Sequence, residues 1–520
     1  MRRRWPLLLA ALAFVLLLAT ALAALRRLLP DGDFAYALDD AYIHLSMARS
    51  LADHGVFGVT RYAFSASSSS PLWVLLLAGF WRGGLTLDVI PLLLNLLAAL
   101  GLLWALDRLL ARALGPLARL AALLAALLVA PLVFLALTGM EHVLHALLSL
   151  LFLERAARVI AREAKAGPGL FVLAVLCSAA RYEGLFAVGM VGLLLLFGRR
   201  WRLALGVVAA GVAAPLAYGL VNLAHGAYFL PNSILAKAQH PEGHGIGALL
   251  RFAGLWANAL RREPALGWLV LANALLLAAR WRGRRRGAAM AFGALVVGAS
   301  VLHAQFARLA LLYRYEAYLL VLGIAALAWN LSEWLEDAPA SRWRAGVAVA
   351  GLALLAWPLG ARAWHVQSIT ARAMVNIFEQ QVQVGRFLGS FYRGEVVAAN
   401  DVGAVTWYGE PRLVDLMGLA TRDVIRAKMA GAFDTAYLER LGAERGVRVA
   451  VVYDRWFAGM GRPLPANWPR VARWRIPGNV ICGDDTVSFY ATSPSEAALL
   501  AEHLRDFAPA LPPGVEVIDG

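Results

Sequence analysis

Apolar residues fill the first 360 or so positions in long runs broken by short polar turns. The first run, 5–25, is roughly 20 residues, enough to cross a bilayer as a helix. Further runs follow at 88–106, 120–137, 143–153, 169–180, 185–197, 203–223, 265–279, 288–303, 315–329 and 345–359. Several fall short of a full span, so the pattern predicts tilted or partly re-entrant helices, about 11 in all. Beyond Arg362 the runs shrink to strand length, at 395–399, 412–416, 447–452, 471–476 and 486–490. Helical periodicity intervenes at 376–388 and 435–445. The fold expected is a polytopic α-helical membrane region, 1–362, followed by a soluble α/β domain, 363–520.

One amphipathic segment stands apart from the spans. Tyr42, Leu45, Ala48, Leu51 and Ala52 share a helical face, Gly55 is a natural stop, and Asp39-Asp40 opens the segment. Such a helix can lie along the membrane surface. A capping acid at its N-terminus would explain one carboxylate and leave the second without a role.

Composition agrees with the pattern: 60% of the 520 residues are hydrophobic and 16% charged, with a mean hydropathy of +0.63. That excludes an ordinary soluble protein. A net charge of +15 would suit nucleic acid if it covered one soluble face. Instead the basic residues sit in short clusters between apolar runs. Threading the chain alternately across a bilayer puts six of them on one side: Arg2–Arg4; Arg108, Arg112 and Arg119; Arg155, Arg158, Arg162 and Lys165; Arg199, Arg200 and Arg202; Arg280, Arg282 and Arg284–Arg286; Arg342 and Arg344. By the positive-inside rule that side is cytoplasmic, so the Asp39-Asp40 loop and the tail lie outside. The charged start and the 5–25 run resemble a signal peptide, but the run is long and ends without a small-residue cleavage site, which predicts an uncleaved first helix. Cys177 and Cys482 are too distant in character to suggest a disulfide.

Charged residues at the outer boundary are the candidates for chemistry, because ionisable groups at membrane depth are costly. They are Asp39 and Asp40; Glu141 in Thr138-Gly139-Met140-Glu141-His142; Arg181 and Glu183 in Arg181-Tyr182-Glu183-Gly184; Lys237 after Leu230-Pro231-Asn232-Ser233; and Arg314 in Arg314-Tyr315-Glu316. Local pairing of Arg181 with Glu183 or Arg314 with Glu316 would explain each one singly. Their convergence on one face points to function.

Taken in order, these segments resemble the C-type (GT-C) integral-membrane glycosyltransferases, above all the bacterial arabinofuranosyltransferase-like group and its mannosyltransferase relatives. The resemblance rests on Asp39-Asp40-Ala41-Tyr42-Ile43 with Ala48-Arg49, Ser70-Pro71-Leu72-Trp73, Gly139-Met140-Glu141, Arg181-Tyr182-Glu183-Gly184, Leu230-Pro231-Asn232 with its downstream lysine, and Arg314-Tyr315. In the tail it rests on Ala398–Ala404 and Val414–Leu419. It implies inverting transfer of a sugar from a polyprenyl-phosphate donor to a cell-envelope glycan, lipid or protein acceptor, at the outer leaflet of a bacterial inner membrane. Asp39 is then the expected base, with Asp40 and Glu141 beside it, and Arg181, Lys237 and Arg314 are expected to hold the donor phosphate. Tyr42, Glu183, Asn232 and Tyr315 complete the expected site. No cofactor is required, although a divalent cation bridging Asp40 or Glu141 stays open, and no nucleic-acid partner is expected.

Two other readings compete. A transporter or lipid flippase would explain many spans and predicts repeat symmetry with broken helices at mid-membrane. A membrane receptor with a partner-binding tail would be indifferent to the loss of Asp39.

Overall fold

In a computed structural model, the described residues are 4–29, 33–86, 88–236, 254, 257–258, 261–281, 287–309, 312–337, 342–461 and 463–519. Lys237 lies outside them, as do Arg2, Arg3, Arg282 and Arg284–Arg286. The apolar runs fold as helices: α1 (Trp5–Leu28), α2 (Asp40–His54), α3 (Pro71–Arg82), α4 (Ile90–Leu110), α5 (Pro116–Val129), α6 (Leu132–Leu137), α7 (His142–Ile160), α8 (Pro168–Ala180), α9 (Gly184–Phe197) and α10 (Trp201–Ala224). After a single turn, α11 (Asn232–Leu235), come α12 (Pro264–Arg280), α13 (Ala288–Phe306), α14 (Ala317–Glu336) and α15 (Arg342–Ile377). Six described helices are long and apolar enough to cross a membrane. The run read as 120–137 is divided, because α5 ends before Pro131 and α6 restarts behind it.

The helices pack as one bundle around a shared apolar core. Its centre is α14, with 72% of its apolar window buried, whereas α1 keeps only 17% buried and shows the rest to lipid. Both are apolar, so packing rather than hydropathy separates them. The chain is a multi-pass membrane protein.

The strands expected in the tail all form: β1 (Val396–Ala399), β2 (Arg412–Asp415), β3 (Val449–Val452), β4 (Arg470–Arg475) and β5 (Thr486–Ala491), joined by a sixth, β6 (Glu516–Asp519). The sheet order is β2-β1-β3-β5-β4-β6. β2, β1 and β3 run parallel, with Val397 opposite both Leu413 and Val449, and the remaining pairs are antiparallel. The order reverses between β1 and β3, the place where open α/β sheets form a crevice at their strand ends. Above 362 there is no break in the chain's course. α15 continues through a π-helical turn, Phe378–Val382, into α16 (Gln383–Phe391), so bundle and sheet are joined by unbroken helix.

Candidate active site

At the end of the bundle that carries the sheet, four turns converge: the start of α2, the α6–α7 turn, the α8–α9 turn and the start of α14. Gly139 permits the second of these. Its φ of +67° is left-handed, and a Cβ there would lie 2.7 Å from the Tyr36 ring, so the chain can reverse tightly enough to aim Glu141 inward.

Arg181 is the hub. Its guanidinium forks onto Glu183, with Nη2–Oε1 at 2.6 Å and Nε–Oε2 at 3.2 Å, while Nη1 reaches Glu141 and lies 3.4 Å from His142 Nε2. The far oxygen of Glu141 lies 3.6 Å from His44 Nδ1, and His44 Nε2 lies 3.3 Å from Ser68 Oγ. Arg314 donates to Asp40 Oδ2 at 2.6 Å and contacts Met140 Sδ. Both guanidiniums lie about 5 Å from the centre of the Tyr315 ring. Glu141, Arg181, Arg314 and Tyr315 are buried. Burying this many charges is tolerable only because each has an opposite partner. The side chain of Asp40 keeps 30% exposure and is the acid of the group most open to a ligand.

Beside the cluster is a cavity of about 230 Å³ lined by Arg181, Glu183, Tyr315, Ser69, Ser233 and Arg308, with an apolar wall of Leu185, Phe186, Ile234 and Phe306. The structure therefore brings together six residues expected from sequence: Asp40, Glu141, Arg181, Glu183, Arg314 and Tyr315. Sequence reading missed His44, His142, Ser69 and Arg308. His44 carried a legible signal, being one helical turn after Asp40 on the same face. Arg308 is a single cation past the end of a span and gave none.

The other expected residues belong to a different place. Asp39 is buried against the sheet domain, where its carboxylate accepts from the backbone N–H groups of Gly403 (2.6 Å) and Ala404 (2.7 Å). A Cβ at Gly403 would collide with the backbone and carboxylate of Asp39. Asp401, which follows β1, hydrogen-bonds to Asp39, accepts from Gln381 at 3.1 Å and lies 3.2 Å from the Tyr453 hydroxyl. Burial raises the carboxyl pKa of both acids, so the pair retains a proton above the usual carboxylate range. The Tyr42 phenol oxygen accepts from the Tyr36 N–H at 3.2 Å, and its ring packs on Tyr36 and Tyr408. Asn232 donates to Leu419 O at 3.1 Å, as does Ser67 at 3.0 Å. That carbonyl belongs to a turn organised by Asp415, which accepts from Met417 N and Ala420 N. Among the described residues no three His, Cys, Asp or Glu side chains gather as a metal-binding group.

Comparison with known proteins bears on the fold. A family model described as a domain of unknown function (DUF8728) matches residues 374–490, and no curated protein matches in sequence. ArnT from Cupriavidus metallidurans, solved with undecaprenyl phosphate bound, is similar over 94% of this chain and 98% of its own, at 14% identity and a TM-score of 0.52. Its apo form is similar over 93% and 98%, at 16% identity and 0.49. AglB from Archaeoglobus fulgidus, an oligosaccharyltransferase solved with an inhibitory peptide and a dolichol-phosphate, is similar over 93% of this chain and 74% of its own, at 13% identity and 0.47. From the bundle, the sheet domain and a likeness that runs over 94% of the chain, the fold is similar to that of ArnT.

Proposed function

We propose that the chain is a membrane glycosyltransferase that moves a sugar from a polyprenyl-phosphate-linked donor to a cell-envelope glycan, lipid or protein acceptor. The reaction is placed at the outer face of a bacterial cytoplasmic membrane, with the N-terminus cytoplasmic and the sheet domain extracytoplasmic. The observation that carries the reading is the Asp40–Arg314 ion pair beside a cavity with an apolar wall and a cationic rim. It occurs in a fold whose relative ArnT holds undecaprenyl phosphate. An apolar wall suits a prenyl chain, and guanidinium suits its phosphate.

The geometry favours Asp40 as base and gives Asp39 a positioning role, because both oxygens of Asp39 already accept backbone N–H groups at the seam. In the proposed step Asp40 takes the proton of the acceptor hydroxyl as that oxygen attacks the anomeric carbon. The bond from the anomeric carbon to the phosphate oxygen breaks on the opposite face, and polyprenyl phosphate leaves with the electron pair. Configuration inverts, and the leaving group gains one negative charge. Arg314 links the two events: a donor phosphate that draws on Arg314 competes with Asp40 for it and frees the carboxylate to accept a proton. Arg181 is less available to a phosphate because Glu141 and Glu183 already share it, which leaves Arg308 at the cavity rim as the more accessible cation. A bridging divalent ion has no role in this scheme, since Asp40 and Glu141 are each compensated by arginine.

The test is transfer from a panel of labelled polyprenyl-phosphate sugars in proteoliposomes, with membrane extract as acceptor. Transfer or donor hydrolysis by the wild type, and none by a folded Asp40→Asn variant, is the expected result. Failure of every donor while suitable acceptors are present overturns the reading.

A further inference from the structure

The end of the bundle opposite the sheet carries a second charged cavity, of about 360 Å³, within the usual range for small-ligand sites. It lies where α4, α7 and α8 meet, lined by Arg108 near the end of α4 and Arg112 just past it, by Glu154, Arg155 and Arg158 from α7, and by Leu151, Gly169 and Leu173. Four arginines thus face one glutamate. Glu154 is engaged by Arg158 at 3.1 Å. Arg158 still has a buried Nη2 with no hydrogen-bond partner, and Arg155 spends only one nitrogen, donating to Lys165 O at 2.7 Å. Arg108 stacks over Trp104, 5.5 Å from the ring, and Trp104 is exposed on the lipid-facing side.

We infer that this cleft binds the phosphate headgroup of an anionic phospholipid in the leaflet opposite the active site. Simple topology would scatter basic residues through loops. It does not account for four arginines, from the end of α4 and from α7, converging on one cavity that holds a single glutamate. The leucines at its wall and the indole at its edge set it at membrane depth, where acyl chains would continue along α7 and α8. A free phosphate shares the headgroup's chemistry but would leave that apolar wall uncovered. The inference rests on the membrane fold alone and stands whether or not the chain transfers sugars.

The experiment is native mass spectrometry of the full-length protein released from nanodiscs of phosphatidylglycerol or phosphatidylcholine, backed by melting curves in each lipid. Wild type is expected to retain phosphatidylglycerol over phosphatidylcholine and to melt higher in it. Arg108→Gln/Arg112→Gln is expected to lose that preference by roughly fivefold per arginine while keeping its melting temperature in phosphatidylcholine. Arg202→Gln/Arg342→Gln removes two arginines of the same end but outside the cleft and is expected to behave as wild type. Equal loss in both double variants overturns the site in favour of diffuse attraction to the leaflet. Stabilisation by inorganic phosphate as great as by lipid overturns the lipid as the ligand, and retention of neither lipid overturns the cleft as a lipid site.

Discussion

Asp39 and Asp40 are neighbours in the chain yet belong to two different regions. Asp40 faces Arg314, keeps part of its surface open, and has a partner a ligand could displace. Asp39 points the other way, into the crevice at the ends of β1 and β3, where backbone N–H groups hold both its oxygens. The first region is held by side-chain ion pairs that can be exchanged, and the second by main-chain hydrogen bonds that cannot be exchanged without moving the sheet. Neighbouring acids in one loop therefore divide into one with an exchangeable side-chain partner and one fixed by the main chain.

The largest effect tests that division directly. Asp40→Asn is expected to lower transfer by about 10²–10⁴-fold, the usual contribution of a positioned base, with the melting temperature little changed. Asp39→Asn turns an NH2 group against one of the two backbone N–H donors and is expected to lower the melting temperature and to reduce transfer less than Asp40→Asn does; a loss as large as that of Asp40→Asn at an unchanged melting temperature breaks the comparison. Next comes Arg181→Gln, which strands Glu141 and Glu183 in a buried site and is expected to cost about 3–5 kcal/mol of stability, read by thermal or denaturant unfolding. Arg308→Gln is expected to raise the donor KM about tenfold at nearly constant kcat, the size of one charge-assisted hydrogen bond. An unchanged KM would leave the phosphate to other groups.

The smallest effect sharpens the seam. Burial raises the carboxyl pKa of Asp39 and Asp401 in the fold, so the folded protein holds a proton that the unfolded chain releases near pH 4. Their contribution is full below that pH and falls as pH rises through the raised folded value. Melting temperatures measured upward from pH 4 should therefore decline less steeply in Asp401→Asn than in wild type. Parallel slopes would remove the shared proton.

Much of the fold was legible because it follows from local rules. Span-length apolar runs must satisfy their backbone internally and so become helices, and short β-branched runs in the tail became β1 to β5. β6 escaped notice because Glu516–Asp519 holds only two apolar residues, Val517 and Ile518, between acids, and pairs only at a sheet edge. The change of composition near 362 does not interrupt the backbone, and α15 passes through it. Five residues of the cluster were legible as charges where charge is costly, and Tyr315 by its place beside Arg314. What sequence could not give was direction: which of two adjacent acids meets Arg314 and which meets the sheet domain depends on Gly403 and Ala404, more than 360 positions away. The tail motif around Val414–Leu419 and the Asn232 segment likewise prove to be two halves of one contact, a relation that no local pattern encodes.

The Asp39 anchor has a geometric consequence. Consecutive Cα atoms are about 3.8 Å apart, so the clamp on Asp39 is a single rigid peptide from the base proposed for catalysis. A drift of the sheet by one ångström would reach Asp40 with almost no slack to absorb it, and about that much misplacement can cost a reaction 10²-fold. In the proposed reaction, the sheet domain acts as a gauge block that sets where the base stands.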